Sequence, residues 1–301
     1  MKNPLGCFKL CSTAGTPAYK NVLFVGYIVL VVLLIVFGRL SFSYDSVLVI
    51  LLGLILFIKR SKQFVVDWSP FLIIVLAYGM MRGLADNLAS RVHITDIISW
   101  ERWLFGSIPT LEFQAWLHPS DILHWYDYMF GAFYTSFYIF PLIVAFVLWL
   151  KRRDYFKFFM YGILFLTMMG YLTYIIFPAM PPWLASQEGH LPEVTKILDE
   201  ATNKAVGIDI PVVYDFLGAN LIAAMPSIHA AWPWYTLLCL VFFYKKKGLW
   251  FVIMPLVIWF GVVYLGEHYI IDVIAGIIYA SVAYFVVYKL RHRIIKKLTI
   301  L

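Results

Sequence analysis

Three ionisable side chains have the types and the spacing that chemistry on a phosphate group requires. His268 and Asp272 lie four residues apart in GEHYIIDVIAG, so on a helix they share a face and the carboxylate can accept a hydrogen bond from one imidazole nitrogen. That bond leaves the other nitrogen unprotonated, as a nucleophile or a general base must be. A second histidine, His229, stands at the start of an apolar run in AAMPSIHAAWPWY. The sequence therefore offers two histidines and one carboxylate for a shared site.

The residues around His229 favour an anion as the ligand of this site. Ser227 is a good N-cap for the helix that His229 opens, and the free N–H groups and the dipole at a helix N-terminus attract phosphate. Together with the His268–Asp272 pair, this arrangement predicts phosphoryl transfer through a histidine. Two alternatives stay open. Each side chain alone fits a packing or capping role, and the three together could form a zinc site, although no fourth ligand stands out.

The composition places these residues in a membrane protein. Hydrophobic residues make up 62% of the 301 residues, well above the roughly 45–50% of a soluble domain. Eight apolar runs approach or reach the length that a helix needs to cross a bilayer. The runs are 22–38, 44–58, 68–84, 126–150, 157–177, 227–244, 248–265 and 267–290. We therefore expect an all-α fold, a polytopic membrane helix bundle with about eight transmembrane helices.

One integral membrane domain over residues 1–301 is the simplest organisation of these runs. It comprises N-terminal helices and an interfacial segment over about residues 1–120, and a catalytic helix core over 121–301. Aromatic and charged residues alternate in DIISWERWLFGSIPTLEFQAWL, which predicts amphipathic helices in the headgroup layer. The long loop 178–224 contains apolar residues at helical spacing from Val194 to Ala205, which predict a short amphipathic helix there.

The net charge of +7 reflects where a membrane topology places lysines and arginines, and it does not indicate a surface that binds nucleic acid. If the N-terminus is cytoplasmic and all eight runs cross, most of the 24 lysines and arginines fall in the cytoplasmic segments, as the positive-inside rule requires. Both termini are then cytoplasmic, and His229, His268 and Asp272 all lie at the extracytoplasmic or luminal face. Three cysteines form no disulfide framework and no metal-binding spacing, so redox chemistry is not expected.

At this point the chain resembles a known family. The order FPAMPPW, PSIH and HYIID across the last four helices is similar to the type 2 phosphatidic acid phosphatase superfamily, and the form with PPW and HYIID is most similar to its inositol phosphorylceramide synthase branch. The resemblance covers about residues 155–290 and implies a six-helix phosphatase-like core. It also implies that His268 forms a phosphohistidine, that Asp272 orients it, and that His229 protonates the leaving alcohol and later activates the acceptor. No metal or other cofactor is implied.

The motifs depart from those of the phosphatases at the residues that hold phosphate. Those enzymes carry Lys-x6-Arg-Pro in the first motif, where this chain has Thr173 and Met180, and Ser-Arg before the histidine of the third, where this chain has Gly261 and Val262. Another cation must therefore neutralise the phosphate.

We expect this cation to come from the outer segments. Arg82, which ends a membrane run, is the first candidate, and Arg102 is the second. Pairing of Arg82 with Asp86 at the interface is an equally good account of that arginine. Ser227, Trp183 and Tyr264 complete the predicted substrate contacts.

The resemblance implies a membrane phosphotransferase that moves a phosphorylated headgroup, with phosphatidylinositol as donor and ceramide or a similar lipid alcohol as acceptor. Two alternatives remain. With water as the acceptor, the same three residues would serve a phosphatase for lipid phosphates or polyprenyl diphosphates. In a lipid carrier or a structural membrane component, the histidines would only satisfy helix ends.

Overall fold

The computed structural model describes residues 26–27, 29–30, 61–80, 91–119, 122–206 and 221–296. Two compact units, Met1–Leu72 and Ile73–Leu301, divide the chain, and every residue of the candidate site belongs to the second. The predicted runs 22–38 and 44–58 lie almost wholly outside the described residues, and so does Arg82.

The described part of the chain is helical and contains no strand. The helices are α1 Ser61–Met80, α2 Thr95–Phe105, α3 Pro109–Leu117, α4 Trp125–Lys151, α5 Arg153–Ile176, α6 Pro182–Gln187, α7 Ile197–Val206, α8 Ile228–Tyr244, α9 Ile253–Tyr264 and α10 Ile270–Lys296. A 3-10 helix, Lys245–Val252, joins α8 to α9.

Among the described residues, four stretches are long and apolar enough to cross a membrane: α4, α5, Ile228–Tyr264 and Ile270–His292. At 1.5 Å per residue, α4 extends about 40 Å, which exceeds the hydrocarbon thickness of about 30 Å. The prediction of an all-α membrane helix bundle is confirmed. The count of eight crossing helices and the six-helix core stay predictions, as does the division into an interfacial segment and a core.

The stretch Ile228–Tyr264 folds back on itself. Lys245, at the end of α8, has a φ of 55°, and the 3-10 helix then leads into α9. The Nε1 of Trp259, on α9, donates a hydrogen bond to the Ala230 carbonyl oxygen at 3.2 Å, so α9 returns to the end at which α8 begins. The separate runs 227–244 and 248–265 in the sequence correspond to these two antiparallel arms.

A cap of short segments covers the end of the bundle at which α8 and α10 begin; it consists of residues 91–119 and 177–206. Parallel bridges join His93 to Ala179 and Ala179 to Ala223. The two helices predicted for the aromatic segment are present as α2 and α3, and their position in the headgroup layer stays a prediction. The amphipathic helix predicted in the loop is confirmed as α7, with Ile197 and Leu198 buried.

Candidate active site

The structure brings His229, His268 and Asp272 together. The Nδ1 of His229 lies 2.9 Å from the Nε2 of His268, and the Nδ1 of His268 lies 3.5 Å from the Oδ2 of Asp272. Asp272 is fully buried, His268 is 4% exposed and His229 is half-buried. Because His268 faces its two partners through opposite ring nitrogens, the three side chains do not converge on one point. This geometry suits a relay through His268 and does not suit the zinc alternative.

The N-terminus of α8 is fixed against the first turns of α10. Ser227 caps α8, since its Oγ accepts a hydrogen bond from the Ala230 N–H at 3.2 Å. The Ser227 N–H donates to the Asp272 carbonyl oxygen at 3.0 Å. Gly276 permits this approach, because a Cβ at that position would lie 2.3 Å from the Ser227 carbonyl oxygen. The predicted N-cap is thus also the residue that holds the two histidine-bearing segments in register.

Asp272 also caps its own helix. Its Oδ2 accepts a hydrogen bond from the Tyr269 N–H at 2.9 Å, which holds the carboxylate below His268. The 3.5 Å distance to the His268 Nδ1 is longer than an ordinary N–H···O hydrogen bond. Catalytic hydrogen bonds are often long without substrate and shorten when it binds.

Two aromatic side chains of α4 hold the His229 ring. Tyr134 stacks on it with ring centroids 4.4 Å apart, and the Phe137 centroid lies 4.1 Å away. Sequence reasoning missed both residues. The stretch FYTSFYIF contains so many aromatic residues that their spacing alone does not indicate which of them face the site.

Glu101, in α2, is a third residue that sequence reasoning missed. Its fully buried carboxylate accepts hydrogen bonds from the Ile270 N–H at 2.9 Å and from the Ile271 N–H at 3.1 Å. These two N–H groups are free of partners within α10 because they open the helix. Burial raises the pKa of Glu101 to about 7, against the opposing effect of the two backbone hydrogen bonds. The cap therefore supplies an acid that fixes the first turn of the helix carrying Asp272.

Trp183 lies beside the turn that leads into His268. Its backbone N–H donates to the Gly266 carbonyl oxygen at 3.1 Å, and the Nζ of Lys196 lies 4.0 Å from its ring centroid. Gly266 has a φ of 85°, which favours glycine, and a Cβ there would come within 3.0 Å of the Thr195 carbonyl oxygen. The tryptophan is thus packed into the cap, and its predicted contact with substrate stays a prediction.

Glu267, an acidic residue, immediately precedes His268 in the chain. Glu267 is 8% exposed, and burial raises its pKa to about 7. Lys196 acts to lower that pKa, whereas Asp199, which pairs with Lys196 at 3.1 Å, acts to raise it. A cation of the cap therefore lies within electrostatic reach of the residue next to His268.

The remaining predicted contacts have different positions. The hydroxyl of the buried Tyr264 donates a hydrogen bond to the Oδ1 of Asp127, and no described contact assigns it to substrate. Arg102 is exposed in the last turn of α2, one residue after Glu101. Arg82 lies outside the described residues. The substrate contacts of all three stay predictions.

Uncharged, packed side chains stand where the phosphatases carry the two cations of the first motif. The Oγ1 of Thr173 shares a hydrogen bond of 2.8 Å with the hydroxyl of Tyr279 on α10. Met180 is 4% exposed, and its N–H donates to the His93 carbonyl oxygen at 3.1 Å. The Thr173 side chain thus links α5 to α10, and the Met180 backbone links two segments of the cap. Both positions therefore serve to hold the fold together.

Comparisons with known proteins agree with this geometry. A family model described as the PAP2 superfamily matches residues 95–286. A protein of Bacteroides thetaiotaomicron with the name phosphoinositol dihydroceramide synthase is 29% identical over 87% of this chain and 89% of the relative. No solved structure matches the chain. The predicted resemblance to the synthase branch and the prediction of a phosphotransferase enzyme are confirmed. Since the family model covers well over half of the sequence, the chain belongs to the PAP2 superfamily.

Proposed function

We propose that the protein transfers a phosphorylated headgroup, inositol phosphate, from a phospholipid to a lipid alcohol such as ceramide or dihydroceramide. The contact between the Nε2 of His268 and the Nδ1 of His229, with Asp272 behind His268, is the observation that carries this proposal. The name of the relative, a phosphoinositol dihydroceramide synthase, supports the choice of headgroup and acceptor. The uncharged residues at the clamp positions favour a transferase over a phosphatase.

The reaction proceeds in two displacements. Asp272 holds the Nδ1 proton of His268, so that the Nε2 lone pair attacks phosphorus. The bond between phosphorus and the diacylglycerol oxygen breaks, and His229 donates the proton that this oxygen takes up. The phosphate group enters between the two rings and replaces the hydrogen bond that joins them in the free protein.

The second displacement reverses the proton transfer. His229, now neutral, accepts the proton of the acceptor hydroxyl, whose oxygen attacks phosphorus and breaks the phosphorus–nitrogen bond of the phosphohistidine. The products are the phosphorylated lipid and the free His268. Tyr134 and Phe137 keep the His229 ring in place through both steps by packing against it.

Positive charge for the transition state comes from three sources in this proposal. Backbone N–H groups at the start of α8 point toward the site, as at other anion-binding helix ends. Arg102 and Arg82 supply cations from the segment before α4, and Lys196, beside Glu267, supplies one from the loop. Such groups typically contribute several kcal/mol to the stabilisation of the transition state.

The site opens to the extracytoplasmic or luminal face in this proposal, and both termini are cytoplasmic. Tyr155 stacks on Phe243 with centroids 4.2 Å apart, so the start of α5 lies beside the end of α8, at the opposite end of α8 from His229. Lys245, Lys246 and Lys247 follow that end, Lys151 and Arg152 precede α5, and Arg153 begins it. The positive-inside rule places this basic end in the cytoplasm and the histidines on the other side.

The product species test the proposal directly. Purified full-length protein in mixed micelles receives phosphatidylinositol with a labelled headgroup, with and without a dihydroceramide, and the products are separated into lipid and aqueous fractions. We expect the label on a new lipid only when the acceptor is present. Label that appears only as soluble inositol phosphate, with or without acceptor, would establish the phosphatase alternative instead.

The nucleophile is tested by trapping. Brief incubation with the labelled donor and no acceptor, followed by alkaline quenching, should leave an acid-labile label on the protein that His268→Ala abolishes. A lipid carrier or a structural component would give no covalent label. A label that survives His268→Ala would assign the nucleophile to another residue.

A further inference from the structure

A second group of histidine and acidic side chains lies outside the candidate active site. His118 follows α3, His124 precedes α4, and Asp127 lies in the first turn of α4. One ligand atom from each of the three lies within 4.8 Å of the other two. His118 and Asp127 are buried, whereas the side chain of His124 is 42% exposed and leaves the group accessible from solvent.

The distances from the two imidazole rings to the Asp127 carboxylate are too long for hydrogen bonds and close to those between two ligands of one metal ion. The Nδ1 atoms of His118 and His124 lie 3.7 Å and 3.9 Å from the same atom, the Oδ2 of Asp127. Direct hydrogen bonds would bring these atoms to about 2.7–3.2 Å. Tetrahedral zinc with bonds of about 2.0–2.1 Å separates its ligand atoms by about 3.3 Å, so a contraction of about half an ångström would bring each histidine to that distance from the carboxylate oxygen. The ligand atoms of the two histidines lie within 4.8 Å of each other and would also have to move closer.

The carboxylate already has the kind of partner that orients a metal ligand. The hydroxyl of Tyr264, at the end of α9, donates a hydrogen bond to the Oδ1 of Asp127 and leaves Oδ2 toward the two histidines. The Oδ2 also accepts a hydrogen bond from the backbone N–H of His124 at 2.6 Å. Metal ligands commonly have such outer partners, which fix the ligand geometry.

The rest of the group is also held in place. The ring of His124 stacks on Tyr126 with an interplanar angle of 4°, and the Tyr126 hydroxyl donates to the Leu117 carbonyl oxygen at 2.5 Å. The backbone N–H of His118 donates to the Gln114 carbonyl oxygen at 2.7 Å. The three ligands therefore come from fixed positions at the ends of two helices rather than from a flexible loop.

We propose that His118, His124 and Asp127 bind one divalent transition-metal ion of the zinc class, with Tyr264 orienting the carboxylate. Two imidazoles and a carboxylate are ligands that suit zinc better than magnesium or calcium, which prefer oxygen ligands alone. A metal at this position would join α3, which belongs to the cap, to α4 and, through Tyr264, to α9. The end of α9 leads within four residues to His268, so the metal would brace the scaffold of the active site without entering the reaction.

The metal content of the purified protein tests this proposal. Full-length protein prepared without a polyhistidine tag is stripped with a chelator, equilibrated with Zn²⁺ and desalted, and the metal is measured against protein. We expect about one Zn²⁺ per chain and a higher unfolding temperature with Zn²⁺ than after chelation. No retained Zn²⁺, together with an unfolding temperature that Zn²⁺ does not change, would overturn the proposal.

Variants locate the ion. His124→Gln removes a ligand but keeps the backbone N–H that donates to Asp127, so its fold should persist while zinc affinity falls at least about 10-fold. Tyr264→Phe should lower the affinity by about 10- to 100-fold with all three ligands in place. His190→Gln is the matched control, because its Nε2 also lies 3.9 Å from a carboxylate oxygen, that of Glu188, but at an exposed site without a third ligand. Unchanged zinc binding in His124→Gln would refute the assignment, as would an equal loss in His190→Gln.

Discussion

Glu101→Gln should change how the stability of the protein depends on pH. Burial raises the pKa of Glu101 from 4.5 to about 7, so between these values the folded protein holds a proton that the unfolded chain has released. Stability from this group is therefore greatest below pH 4.5, falls as the pH rises and is lowest above about pH 7. A difference of about 2.5 pKa units corresponds to about 3 kcal/mol.

Glutamine cannot ionise, so the stability of the variant should not depend on pH through this group. It also offers one acceptor for the two N–H groups of Ile270 and Ile271, which lowers its stability by about 1–3 kcal/mol at every pH. This constant cost cancels when the difference between wild type and variant is compared at pH 5 and at pH 8. Relative to the variant, the wild type should lose about 2–3 kcal/mol over that interval.

Thermal unfolding in detergent measures this difference. For a domain of roughly 150–250 residues, 1 kcal/mol shifts the unfolding temperature by about 2–4 °C, so the gap between the two proteins should change by about 5–10 °C between pH 5 and pH 8. Glu112→Gln, at an exposed position on the neighbouring α3, controls for the loss of one negative charge from the cap. A gap that is the same at both pH values would refute the reasoning that Glu101 is an acid held protonated by burial.

Three further predictions concern the histidine-bearing segments. Asp272→Asn should slow formation of the phosphohistidine by about 10²- to 10⁴-fold, because the amide does not hold the Nδ1 proton of His268; single-turnover labelling measures this rate, and an unchanged rate would remove Asp272 from the mechanism. His229→Ala should slow labelling by a similar factor with phosphatidylinositol, but much less with a nitrophenyl phosphodiester whose leaving group needs no proton; equal losses with both donors would contradict its role as the acid. Gly276→Ala should lower stability by about 1–3 kcal/mol and reduce transfer, because the new Cβ meets the Ser227 carbonyl oxygen, whereas Gly131→Ala places its Cβ in ordinary contact, 3.5 Å from Leu198, and should change the unfolding temperature little.

The local part of this site follows from the sequence. His268 and Asp272 lie close together because only three residues separate them, although His268 precedes α10 by two residues instead of sharing a helical face with Asp272 as the spacing predicted. Ser227 caps α8 as its residue type predicts. The apolar runs on either side of Lys245 predicted the two arms α8 and α9, because apolar length and charge can be read from short stretches of sequence. These features depend on residues that are neighbours in the chain.

The non-local part could not be predicted in the same way. Glu101 accepts hydrogen bonds from residues 169 and 170 positions away, and no spacing rule connects an acid in one short helix to the start of a distant helix. Trp183 has the residue type of an interface anchor, yet it is buried in the cap: its backbone N–H donates to the Gly266 carbonyl oxygen and its ring lies against Lys196. Such contacts depend on how the cap folds over the bundle, which a single sequence does not determine.

The cap and the bundle have different parts in the proposed reaction. The bundle supplies the groups that make and break bonds, since His229 lies on α8, Asp272 on α10 and His268 in the turn just before α10. One backbone hydrogen bond and the close approach at Gly276 hold these segments together. Neither clamp position supplies a cation, since Thr173 on α5 and Met180 in the cap are packed and neutral.

Charged groups beside the site come instead from the cap. Glu101 borders the first turn of α10, and Lys196 lies within electrostatic reach of Glu267. A synthase must exclude water as the acceptor while it admits a lipid alcohol, and a cation on a cap segment can bind phosphate and close the site in a single contact. A cation on α5, at the position of Thr173, would bind phosphate without closing the site to water. The neutral residues at the two clamp positions and the charged cap therefore both favour a lipid alcohol over water as the acceptor.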